Sequence, residues 1–153
     1  MSDTNYPTAP LSRRLAAMIY DGLILIALYI MAGFAVVAVI KATNNNQFPG
    51  ELPAAVNLSL MFIIAFFYYS DSWRRRNGQT VGMKAWGLKL VNDNGGRLQL
   101  SQCMLRVGTG FFSLAVFGLG FLWALIDKKQ RSWHDIASVS HQVFIPKEMR
   151  QKS

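Results

Sequence analysis

Charge is what this 153-residue chain has least of. Asp, Glu, Lys and Arg make up 16% of it, against about a quarter in an average globular domain. That scarcity, with 52% of the residues apolar and ten Phe among them, excludes a disordered or ordinary polar-surfaced chain. Cysteine occurs once, as Cys103, which excludes an internal disulfide framework and any multi-thiolate metal site. Histidine occurs twice, and His134 and His141 lack the close His/Cys/acid spacing that holds a metal. No phosphate-cradling glycine loop and no nucleophile elbow is present. The reading is therefore of a non-enzyme with no catalytic residues, no metal and no cofactor. A fold this small buries the smallest share of its chain, so this much apolar surface points to a membrane.

What is present is three charge-poor stretches of bilayer length. A hydrocarbon core of about 30 Å needs about 20 apolar helical residues. Gly22 to Ile40 supplies the first, with Asp21 at its edge, and is too long for the apolar core of a signal peptide, about 7 to 15 residues, so it is expected to be retained. Leu52 to Ser70 supplies the second, with Pro53 in a first turn and Tyr68, Tyr69 and Trp73 as an interfacial belt. Val107 to Ile126 is the third, but Gly108, Gly110, Gly118 and Gly120 interrupt it. The organisation that follows is a disordered tail over 1–12, a single membrane domain over 13–146 with spans at about 15–40, 52–70 and 101–126, and a basic tail over 147–153.

The sixteen Lys and Arg residues bear on topology. Three complete crossings would place nine of them on one side and seven on the other, whereas a third stretch that enters and returns places fifteen against one. Positive residues collect on the cytoplasmic side, so the return hairpin is favoured and a third full span is the alternative. Ser101 can cap a helix whose polar stripe is Gln102, Arg106, Thr109 and Ser113, with a bend near Gly118 and Gly120. Trp86, Leu88 and Leu90 alternate with Gly87 and Lys89 before an Asn-Asp-Asn-Gly-Gly turn, and Val139 to Ile145 is a second β-like run; the two can pair only on one side of the membrane. The fold class is an all-α membrane protein of two transmembrane helices plus a third apolar segment, with a small cytoplasmic β-ribbon.

Arg14 and Asp21 are seven apart, which puts them on one helix face with Asp21 about 10 Å deeper. An acid at that depth costs a few kcal/mol and marks either function or a buried pair. Asp21, Arg14 and Arg106 are expected to form an intramembrane polar cluster. Asp135, with His134 and Lys84, is expected at the cytoplasmic interface, capping a backbone or pairing with central Arg or Lys residues. Arg74, Arg75, Arg76, Lys128 and Lys129 are expected to meet anionic lipid headgroups rather than nucleic acid, for which no reading motif is present.

Three motifs in order resemble the RDD family of small bacterial membrane proteins. They are Arg14-Leu-Ala-Ala-Met-Ile-Tyr-Asp21, then Gly78-Gln-Thr-Val-Gly-Met-Lys84 with Gly87-Leu-Lys-Leu-Val91, and Arg131-Ser-Trp-His-Asp135. The Arg and two Asp residues of the family name correspond to Arg14, Asp21 and Asp135. Met83 replaces a usual Lys, and Ala137-Ser-Val-Ser140 replaces a small-residue pattern. The resemblance implies residence in the bacterial inner membrane, and the charge count a cytoplasmic N-terminus. It also implies transport of a small solute or cation, with Asp21 as carrier carboxylate, and so few spans would enclose a pathway only as a homo-oligomer; the alternative is an accessory or scaffold subunit in which these residues are structural.

Overall fold

The computed structural model of the chain describes residues 6–43, 47, 50–94 and 96–146. The expected basic tail, 147–153, and Gly95 of the expected turn lie outside them. Two long helices dominate: α1, Leu11–Thr43, and α2, Ala54–Arg75, each long and apolar enough to cross a membrane. At 1.5 Å per residue α1 is about 50 Å long, well beyond the hydrocarbon core. They run antiparallel, because Asp21 meets Tyr68 at one end while Tyr29 donates to Asn57 nearer the other.

The burial of α1 reverses that of a helix in a soluble protein. Its buried residues are Arg14, Ala17 and Asp21, a stripe at spacings of three and four. Ile19, Leu23, Ile26 and Phe34 are exposed. The polar stripe thus packs on protein, and the apolar surface is the one suited to lipid.

Beyond the Arg14 end of α1 lies a compact platform. It contains α3, Val81–Trp86, and a two-stranded antiparallel ribbon of β1, Leu88–Asn92, and β2, Ser140–Phe144, in register from Leu88 opposite Phe144 to Asn92 opposite Ser140. The ribbon is widened by a segment assigned above to a disordered tail. Thr8 bridges Val143, Ala9 N–H donates to Gln142 O at 2.9 Å, and Phe144 N–H donates to Pro7 O at 2.9 Å. Satisfying the free backbone edge of β2 is what orders residues 7–9. Trp86 ends α3 rather than joining β1, because Gly87 adopts a left-handed cap at φ 69°. Leu88, Leu90, Met83, Leu98, Cys103 and Val107 form the core with Ala9, Ala17 and Trp73.

The third apolar stretch is α4, Leu100–Ala115, followed by α5, Leu119–Leu122, and a 3-10 turn, Trp123–Leu125. The pair is bent by 109°. Phe117 and Gly118 make the bend with φ of 57° and 75°. Gln99, not the expected Ser101, caps α4, in a reciprocal box with Gln102. Both ends of this excursion are fastened to one place: Asp93 N–H donates to Val139 O at 3.1 Å and Gln102 Nε2 to Ser138 O at 2.9 Å. A segment whose two ends pair across one ladder goes out and comes back, which is the geometry a return hairpin requires. The short helix α6, Trp133–Ala137, closes it.

Candidate functional site

Two buried polar constellations occupy the junction between helices and platform. The first is centred on Asp135. The sequence Ser132-Trp-His-Asp135 forms a capping box at α6, in which Asp135 Oδ2 accepts from Ser132 N–H at 3.0 Å and from Ser132 Oγ at 2.6 Å. The same oxygen takes Arg14 Nη1 at 2.9 Å, while Oδ1 takes Arg106 Nη2 at 2.5 Å. Arg106 Nη1 donates to Ser140 Oγ at 3.0 Å and Ser138 Oγ at 3.3 Å, and Arg14 Nε donates to Ala9 O at 2.9 Å. One carboxylate therefore ties the start of α1, the middle of α4, and α6 together.

Burial alone would raise the Asp135 carboxyl, but the Arg106 and Arg14 guanidiniums hold it well below the usual carboxylate range. His134 is pushed down to about 3, first by burial and then by the Arg106 guanidinium. It is neutral at physiological pH, with Nε2 at 2.9 Å from Ser132 Oγ and its ring against Phe121. Two guanidiniums against one carboxylate leave this cluster with a net positive charge.

The second constellation is centred on Asp21, and it excludes Arg14 and Arg106. Asp21 Oδ1 accepts from Tyr68 Oη and from Gly82 N–H, each at 2.8 Å, and Oδ2 accepts from Thr80 Oγ1 at 2.6 Å. Thr80 caps α3, its hydroxyl also taking Met83 N–H at 3.1 Å. A side chain on Gly82 would overlap the Ala17 carbonyl oxygen and meet Asp21 Oδ1 at 2.9 Å. Only glycine lets α3 lie this close to α1.

The expected cluster of Arg14, Asp21 and Arg106 is thus two clusters. Arg14 and Asp21 do share a buried face, but the 10 Å between them along the axis brings each against a different element. Asp135 joins both arginines. Tyr68, Tyr69 and Trp73 are not an interfacial belt: Tyr68 serves Asp21, Tyr69 stacks on Trp73 at 4.9 Å, and Trp73 lies beneath Arg106 at 5.5 Å. Lys84, Lys128, Lys129, Arg74, Arg75 and Arg76 are exposed. Asp71 pairs with Arg75 and Arg76 at 3.4 and 3.5 Å. The reading of the sequence missed Tyr68, Thr80, Gly82, Ser132, Ser138 and Ser140. Two signals for them were present, the Ser-x-x-Asp box at 132–135 and a threonine opening α3.

The match to known proteins covers both carboxylates and their arginine, tyrosine and threonine partners, since a model of the RDD family matches residues 8–139. The chain belongs to the RDD family. A curated relative, the uncharacterised protein YxaI of Bacillus subtilis (strain 168), is 29% identical over 85 residues, which is 56% of this chain and 56% of the relative. The chain thus spans little more than half the length of that relative. No solved structure matches. In this RDD protein the Arg and the second Asp of the family name are bonded to each other, and the first Asp is bonded elsewhere.

Proposed function

We propose that this RDD protein is an accessory or scaffold subunit of the bacterial inner membrane, in which Arg14, Asp21 and Asp135 hold helices to platform and carry no cargo. The observation that supports this most is the state of Asp21. Both its oxygens are occupied by protein donors from three positions, Tyr68, Thr80 and Gly82. A carrier carboxylate would have to exchange those donors for a cation or proton in each cycle, whereas a fastening carboxylate keeps them. The exposed apolar face of α1 suits association with another membrane helix.

The test is ion flux from proteoliposomes under an imposed pH gradient, combined with thermal unfolding of Asp21→Asn in detergent. The scaffold reading expects no cation-coupled proton movement. It expects Asp21→Asn to destabilise by about 1.5–3 kcal/mol, the worth of a hydrogen bond to a charged group. pH-dependent flux in the native protein, abolished in a variant of undiminished stability, would establish the carrier reading instead.

A further inference from the structure

Between α1 and α2 lies a groove of about 380 Å³ beside the Asp21 constellation, whose Tyr68 forms part of its wall. Its inner part is apolar, lined by Ala32 of α1 and by Ile64 and Phe67 of α2, and its outer end is polar, lined by Asp71, Ser72 and Arg76. From Ile64 to Arg76 is twelve residues, about 18 Å at 1.5 Å each. Half of a hydrocarbon core is about 15 Å. The α2 wall of the groove therefore has the height of one leaflet, apolar where acyl chains lie and polar where headgroups lie.

The charge at its mouth has one sign in excess. Asp71 pairs with both Arg75 and Arg76, a net of one positive charge. The ion pairs it makes are long, 3.4 Å to Arg75 Nε and 3.5 Å to Arg76 Nε, with those arginine side chains 84% and 61% exposed. Exposed pairs of this kind hold little energy, so the guanidinium ends are available to an anion. Arg suits a phosphate because its planar fork donates two parallel bonds.

We propose that this groove seats one anionic phospholipid of the platform-side leaflet, with an acyl chain against Ala32, Ile64 and Phe67 and its phosphate at Arg75 and Arg76. Basic pockets between membrane helices bind anionic headgroups in this way. The proposal needs only the membrane placement of α1 and α2 and is independent of the scaffold reading.

The test is native mass spectrometry of the full chain, purified in detergent and supplied with an equimolar mixture of phosphatidylglycerol and phosphatidylcholine. One retained phosphatidylglycerol per chain is expected, with the preference over phosphatidylcholine falling about fivefold for each arginine lost in Arg75→Gln and Arg76→Gln. Arg97→Gln, a cation away from the groove, should leave the preference unchanged. Ala32→Trp should fill the groove and remove the retained lipid, and Ile64→Trp provides a second filling variant should the first fail to fold. Equal retention of both lipids would overturn the headgroup assignment. Undiminished retention in both folded filling variants would reduce the site to surface attraction and overturn the groove. A dimer with no lipid would assign it to a second copy instead.

Discussion

Asp135 is shared by two guanidiniums, so its removal leaves two buried cations with one partner missing. Asp135→Asn should cost about 3–5 kcal/mol, the range for breaking a buried ion pair from one side. The division of the polar residues into two clusters makes a sharper claim. In double-mutant cycles read from unfolding in detergent, Arg14→Gln and Asp135→Asn should show a coupling of about 0.5–3 kcal/mol, while Arg14→Gln and Asp21→Asn should add to within about 0.5 kcal/mol. Strong coupling between Arg14 and Asp21 would contradict the separation. At this scale the sequence was half legible. Periodicity placed Arg14 and Asp21 on one face, which the structure has buried at 4% and 2% exposure. Periodicity says nothing about what covers that face at each level. Apart from Ala9, the partners come from positions 47 to 121 residues away, a separation over which local spacing has no bearing.

Among the elements, the two long helices and the strands were readable, because hydropathy over about 20 residues and alternation over five are strong signals. Among the elements missed was α3, whose six residues are too few to display a helical period. It is specified by punctuation, Thr80 at one end and Gly87 at the other, and by Gly82 in the middle. Gly82→Ala should therefore lower stability by about 1–3 kcal/mol through overpacking against α1. Gly108→Ala makes the matching control, since a side chain there meets no atom within 4 Å, and its effect should stay within about 0.5 kcal/mol. Equal effects in thermal unfolding would mean that α3 does not depend on that close approach. Trp73 teaches a related lesson: an aromatic at the end of an apolar helix reads as a membrane anchor, yet here it is 7% exposed beneath a guanidinium.

Over the whole molecule, the platform collects the basic residues of the described chain at one end of the helix pair, leaving Lys41 at the end of α1 opposite. Positive residues mark the cytoplasmic face. Reporter fusions after Lys84 and after Ser153 should both read cytoplasmic, and one after Gly50 should read the far side. A far-side result after Ser153 would separate the two strands of the ribbon across the membrane and contradict their pairing. The charge asymmetry was legible in the placement of Lys and Arg between the apolar stretches; the fastening of residues 7–9 to β2 was not, because a tail rich in Ser, Thr and Pro carries no periodic signal that announces a docking edge.

The bond between Arg14 and Asp135 also orders events in time. Arg14 leaves the ribosome 121 residues before the carboxylate that neutralises it, and at about 5–20 residues per second that interval is about 6 to 24 seconds. During it the first helix pair can enter the bilayer, but Arg14 has no ionic partner from the last motif and Arg106 has none either. Completion of the platform therefore waits on the arrival of Asp135, and a chain that stalls before that residue keeps two guanidiniums unmatched at the membrane surface. The last of the three motifs thus acts as the clasp that matches both guanidiniums.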